Sequence, residues 1–452
     1  MQTKIITLFF IGFSLLSFSQ KYTNSPFSSY GLGEYGGLDH GIFSGMGNAS
    51  LAIIDSTVLN FNNPSSYASL GKGQPLFSTG ISSRFSEFKT GSDIANSRVV
   101  GLDHFALAVP FLKNFGLVAG LKPFSRTGYD FYQVEETSTE KMKYIYRGSG
   151  GTHEVFGGFS ANLLEFKKHR LGVGINVGYI FGSNLNERIS YIDKNYNVTD
   201  AIPGGVENTG FRLKALNYKL GINYQWNLDK FKTLTFAGTF SPQQQFNATQ
   251  SSFLAYSTDV NNSNKFVYQD TISEVKGDIT MPSSWGVGFS YTMRPKSTEN
   301  RTRTYQLMLT GEVQMTDWAS YRTQFNGTVM SVNYGNTMRI SVGGQFSPHF
   351  NYIDRSTTVG YLSRIRYRAG FQYATLPVII QTKQQTDLLV SVGLGLPFAI
   401  QRSSSSINFG ITAGQRGDGN SQSVSERYIG FNFGVTVSPG INDRWFRKFK
   451  ID

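Results

Sequence analysis

The sequence predicts an all-β protein, a transmembrane antiparallel β-barrel of about fourteen strands with an N-terminal hatch (plug) in the lumen. Three observations predict it. An export signal is followed by no spanning helix, the composition is rich in aromatics and glycine without cysteine, and segment after segment alternates with a period of two.

Lys4 is followed by the apolar run "IITLFFIGFSLLSF" and then by small Ser17 and Ser19, the pattern of a signal peptide cleaved near Ser19. The run is about fourteen residues, short of the roughly twenty that a spanning helix needs. Residues 1–19 therefore read as an export signal, 20–75 as the hatch, 76–438 as the barrel and 439–452 as a C-terminal tail. With no cysteine, disulfides and thiolate metal sites are excluded.

Of the 452 residues, 14% are aromatic and 49 are glycine, yet the mean hydropathy is only -0.23. A barrel has this profile because alternate strand residues face lipid, aromatics gather at the interfaces, and polar loops dilute the average. The net charge of +12 is spread along the chain rather than gathered into a stripe, which argues against nucleic acid and for contact with anionic outer-membrane lipid.

The strands follow from the alternation. In 170–183, Leu171, Val173, Ile175, Val177, Tyr179 and Phe181 share one face, and Gly172, Gly174, Asn176, Gly178, Ile180 and Gly182 the other. Segments 284–293 and 428–437 repeat the pattern with Trp285, Val287, Phe289, Tyr291 and Met293, and with Ile429, Phe431, Phe433, Val435 and Val437. Less regular examples lie near 76–88, 103–112, 115–126, 152–163, 208–226, 232–241, 304–315, 338–347, 388–398 and 405–414. A soluble sandwich shares the alternation. What favours the barrel is an expected sorting of connections, short turns on one side and long polar loops such as 184–210 and 250–278 on the other.

The strand "SRIRYRAGFQY" (363–373) completes the set and places Arg364, Arg366 and Arg368 opposite Ile365, Tyr367, Ala369, Phe371 and Tyr373. Those arginines belong in the lumen, since arginine at the lipid midplane costs about 2 to 4 kcal/mol. Glu312, Gln314, Arg339 and Lys219 point inward by the same parity. Together they form either a site for an anionic headgroup or, the reading preferred, a charge network joining wall to hatch. A barrel of this width would leak unless plugged. The Gly-, Ser- and Asn-rich segment before Leu76 is too apolar in "FSGMGNASLAII" for a solvated tail, and reads as the plug.

That segment resembles the hatch of the FadL family of outer-membrane transporters for long-chain fatty acids and hydrophobic compounds. Gly45, Met46, Gly47 and Ala49 match its G-M-G-x-A element, Asp55 its acidic residue, and Asn63-Pro64-Ser65 its N-P-A motif with Ser for Ala. "ITMPSSWGVGFSY" (279–291) resembles the family's proline-led strand, whereas the ending "WFRKFKID" lacks a terminal aromatic residue. The resemblance implies passive uptake of a hydrophobic small molecule past the hatch, with Asn63-Pro64 shaping the passage, and lateral release through the wall. An equally good account makes Asn63-Pro64 a rigid turn. A related group serves type IX secretion, and it implies instead a non-transporting subunit that binds protein partners and has a filled lumen.

Other chemistry is not supported. "GLGEYG" (31–36) has dinucleotide-loop spacing but no preceding strand or βαβ unit. His40, His104, His153, His169 and His349 lack metal-ligand spacing. Ser160, Asn162, His153 and Glu154 do not assemble a nucleophile, base and orienter by parity, so the expectation is no enzyme, no cofactor and no metal.

Overall fold

The computed structural model describes the chain apart from residues 1–23, 37–40, 71–74, 113, 137–139, 195–200, 263–264, 295–304, 350–359, 381, 399–404, 418–422 and 439–452. The expected signal peptide, the C-terminal tail and His40 lie outside the described residues.

Fourteen antiparallel strands close into one barrel. They are β1 (Leu76–Thr90), β2 (Asp93–Phe111), β3 (Phe115–Glu136), β4 (Lys141–Phe166), β5 (His169–Ile192), β6 (Gly204–Asn227), β7 (Lys232–Ser241 and Gln244–Ser257), β8 (Phe266–Met281 and Ser284–Met293), β9 (Gln306–Thr316), β10 (Thr337–Ser347), β11 (Arg366–Ile380), β12 (Lys383–Pro397), β13 (Ser406–Arg416) and β14 (Ser425–Val437). Neighbours in sequence pair, and β14 closes on β1 from Val437↔Phe77 to Ser425↔Lys89. Closure removes the sheet edge that no lipid can satisfy. Strands β7 and β8 are each interrupted at the same level, at Pro242 and Pro282, where proline has no N–H to give the ladder.

The alternation dictates the two faces. Val287, Phe289, Ile429 and Phe431 are exposed on the outer wall, whereas Asn176, Ser290, Ser341, Asn408 and Thr412 are buried inside. In β11, Tyr367 and Phe371 face out and Arg366 and Arg368 are buried inside. Arg364 departs from the expected strand. It ends a 3-10 turn (Tyr361–Arg364), and Ile365, expected to face lipid, caps that turn and is buried.

The connections are not sorted by side. Turns at 167–168 and 91–92 lie at opposite ends, and so do the long connections 348–365 and 317–336. Much of the two polar excursions is paired strand: β3 to β6 run 22, 26, 24 and 24 residues, against 11 each for β9, β10 and β13. Since roughly 9 to 11 residues cross a bilayer, β3 to β8 rise past the wall as a six-stranded crown. There Ile189, Tyr191 and Val206 pack with Val260 in a small buried cluster, and the strands lose the alternation that marks a strand in lipid.

Inside the barrel lie an arm (24–36), a belt (41–70) and a lid formed by the β9–β10 connection. The lid contains a 3-10 turn (Trp318–Ser320) and a hairpin, Arg322–Phe325 with Thr328–Ser331. Asn326 and Gly327 both have positive φ, 49° and 76°, as a two-residue type I′ turn requires.

Candidate functional site: a belted and lidded lumen

The belt runs around the inner wall against consecutive strands, from β14 down to β3. Gly41 lies against Gly434, Ser44 against Gly410, Gly45 against Gly393, Met46 against Gly370 and Gly343, Leu51 against Gly286 and Gly288, Pro64 against Gly221 and Gly174, and Tyr67 against Gly158 and Gly116. Inward glycines let belt backbone lie directly on sheet backbone. The G-M-G element serves this contact: Gly47 has φ +62° and packs on the backbone of Phe371, and Met46 and Ala49 are fully buried.

Wall side chains bond the belt along the same circuit. Glu312 Oε2 accepts from the N–H groups of both Ser50 and Leu51 at 2.7 Å, and Ser391 Oγ accepts from Gly47 N at 2.8 Å. Asn48 Nδ2 donates to Gln372 Oε1 at 2.9 Å, and Ser290 Oγ to the Ala52 carbonyl at 2.8 Å. On the opposite arc Asn223 Nδ2 donates to Ser65 O (2.9 Å), Asn162 Nδ2 to Ala68 O (3.0 Å), and Tyr67 OH to Asn176 Oδ1 (2.9 Å). Each satisfies a polar group that the belt would otherwise bury unpaired.

The residues singled out from sequence fall into place on this frame. Asn63 is fully buried and caps a 3-10 helix (Pro64–Ser69): its Oδ1 accepts from Ser65 N and Oγ, and its Nδ2 donates to Leu51 O at 2.8 Å. Asn63-Pro64 is thus a packed turn on β5 and β6, far around the wall from Gly45, Met46 and Gly47. Arg368 donates to Gln345 Oε1 (2.8 Å) and Asn408 Oδ1 (2.9 Å), and Arg366 to Thr57 Oγ1 of the belt (3.4 Å). Thr57 is held in turn by Asp55 Oδ1, at 2.8 Å from its N and 2.9 Å from its Oγ1. Glu312 and Arg339 join through Gln314, which donates to Glu312 Oε1 at 2.8 Å and accepts from Arg339. These contacts tie wall to belt; Arg364 lies before the strand, at the end of the turn that leads into β11.

Above the belt lies a cavity of 560 Å³, floored by Phe43, Asn48, Phe61 and Asn62 and walled by charged groups. Lys122 Nζ is 3.2 Å from Glu154 Oε2, and Lys219 and Arg339 border the same space. On the other side Arg416 meets Glu34 Oε1 (2.8 Å) and Asp387 Oδ2 (2.9 Å). The roof is apolar: Leu32, Trp318, Tyr321, Phe325 and Tyr334 pack on Ile180, Leu213, Phe246 and Ile279. Burial pushes the hydroxyls of Tyr321 and Tyr334 well above their ordinary range.

Strict alternation misses one group. A bulge opposite Gly80 and Ile81 leaves Asp103 unpaired, so that Asp103 and His104 both turn inward. Ser78 Oγ then lies 2.8 Å from His104 Nε2, and His104 Nδ1 2.9 Å from Asp103 Oδ2. This is the connectivity of a catalytic triad. The trio is buried, Phe61 of the belt covers the imidazole at 5.1 Å, and of the three only Asp103 borders the cavity. Among the described residues no cluster of metal-binding side chains occurs.

A family model described as BamG matches residues 1–452. No curated protein sequence matches the chain. Among solved structures, the barrel is similar to the CymD monoaromatic hydrocarbon channel (13% identity, 90% of this chain and 99% of that one, TM-score 0.52). It is also similar to a Pseudomonas aeruginosa FadL homologue (11% identity, 90% and 99% covered, TM-score 0.52). At these identities the likeness is one of fold. The expected likeness to FadL-type channels holds for the barrel fold, while the family match carries a different name.

Proposed function

The chain belongs to the BamG family, and for it we propose a closed outer-membrane barrel that serves as a partner-binding subunit of a membrane assembly, with no catalytic step and no cofactor. The observation that carries this reading is the belt, bonded by side chains from β4, β5, β6, β8, β9, β11 and β12 and lying beneath an apolar lid. A conduit for hydrophobic molecules needs a continuous apolar path past the hatch. Here the space above the belt is lined by Lys122, Glu154, Lys219, Arg339 and Arg416. The tall crown supplies a surface for a protein partner.

The 560 Å³ cavity and the shared fold favour a second reading, passive uptake of a fatty-acid-like molecule. Native mass spectrometry of protein gently extracted from its own membrane separates the two. A stoichiometric protein partner with an empty lumen supports the subunit reading. A copurified amphiphile, lost on Asn63→Ala or Pro64→Ala, supports uptake and overturns it.

A further inference from the structure

The barrel wall carries a notch. Strands β2 and β3 pair only over Phe105–Phe111 and Phe115–Leu121, 7 residue pairs, whereas β1 with β2 makes 15 and β3 with β4 makes 21. Above that point the two strands rise with their edges turned to each other and no ladder between them. At the base of the notch the arm stands in for the missing partner: Glu34 pairs with Arg126 and Tyr35 with Ser125, Gly36 N donates to Phe124 O at 3.0 Å, and Ser25 N to Gly128 O at 2.8 Å. Arg126 reaches across, donating to Leu102 O at 2.8 Å. Higher up, among the described residues, the β3 edge from Tyr129 to Glu136 and the β2 edge from Asp93 to Gly101 have no backbone partner on this side.

We propose that this notch receives an extended segment of a second protein, which adds as a strand to the free edge of β3 and faces β2 with its other edge. The proposal rests on the partner-binding reading above. Three features argue for a polypeptide. The β3 edge already accepts a strand from the arm, so its geometry suits augmentation. Two facing edges offer rows of N–H and C=O groups that a strand of another chain can pair. The lips also carry apolar side chains open to contact, Ile94 (60% exposed) on one and Tyr132 (64%) and Val134 (39%) on the other. The segment that fits alternates, with apolar residues on the face it shares with those three.

The test places photoreactive p-benzoylphenylalanine at Asn96 or Val134 in the full chain in its own outer membrane, with Val342 on the distant wall of β10 as control. Both lips should capture the same foreign polypeptide and the control should not. In the purified complex, amide exchange over 129–136 should slow by about tenfold at alternate residues. Capture from Val342 alone removes the notch and leaves the partner-binding reading standing. Capture of no polypeptide from any position removes both. Adducts only with lipid or with a second copy of this chain, or capture without slowed exchange, overturn the proposal.

Discussion

Met46 lies with its carbonyl against Gly370, so close that a β-carbon at position 370 would overlap both that carbonyl and Gly47 N. The belt and β11 thus meet backbone to backbone. Gly370→Ala forces them apart and should destabilise the barrel by about 1–3 kcal/mol, the usual cost of overpacking. Urea unfolding in lipid vesicles, followed by heat-modifiable migration, measures it. Gly360→Ala is the control, since nothing lies within 4 Å of its β-carbon position. An equal loss in both variants would show that the belt does not bear on the wall there.

Glu312 holds two belt N–H groups on one oxygen. Glu312→Ala leaves both buried and unpaired, at about 1–3 kcal/mol each. Glu312→Gln keeps a neutral acceptor and should cost less. Exchange of the Ser50 and Leu51 amides should therefore rise in the order wild type, Gln, Ala. Unchanged exchange in the Ala variant would remove Glu312 as an anchor.

Two substitutions of Arg368 offer a paired comparison. Arg368→Met strips the donor from Gln345 and Asn408 inside the wall, a charged hydrogen-bond loss of about 1.5–3 kcal/mol. Arg368→Lys keeps the charge without the planar fork and should cost less. Unfolding midpoints of the two variants decide it, and equal midpoints would count against the lumen network.

On the outer face, Val342→Arg should cost about 2–4 kcal/mol if that residue meets the hydrocarbon core. Ser341→Arg, one residue along, meets the belted interior and should fail for a different reason, loss of space. Folding yield into vesicles of varied thickness separates them: only the Val342 variant should improve as the bilayer thins.

In the crown, burial alone would raise the Asp259 carboxyl. The N–H groups of Asn261 and Ile202 and the Lys265 ammonium outweigh it and hold Asp259 below its usual range. A depressed native value means that this group's stabilisation is present above its unfolded-state value and is lost as pH falls through the native one. Residues 258–265 should become more protease-sensitive only in that acid window. Asp259→Asn should show the sensitivity already at neutral pH, and an Asn variant as resistant as wild type would refute the link.

The strands were legible because lipid on one side and a packed interior on the other impose a period of two, which Trp285 to Met293 keep at every step. Arg366 and Arg368 were legible for the same reason. Arg364 shares their parity but precedes the strand, and parity carries no mark of where a strand starts. The crown was not legible, since lipid imposes no contrast on strands above the wall and so 184–210 resembled loop. Asp103 was hidden by a bulge, which shifts the parity of its neighbours without any residue of its own to announce it. The belt's route was hidden too. An inward glycine that receives Met46 looks, in sequence, like one that merely avoids lipid.

The order of contacts along the belt has a consequence for assembly. Residues 41–70 precede every strand in the chain, yet they touch the last strand at Gly434 and the third at Gly116. A finished tube would have to admit such a hoop and then bond to it at seven staves. A sheet that curls around the hoop makes those bonds one stave at a time, with the hoop as its mould, until the last stave meets the first.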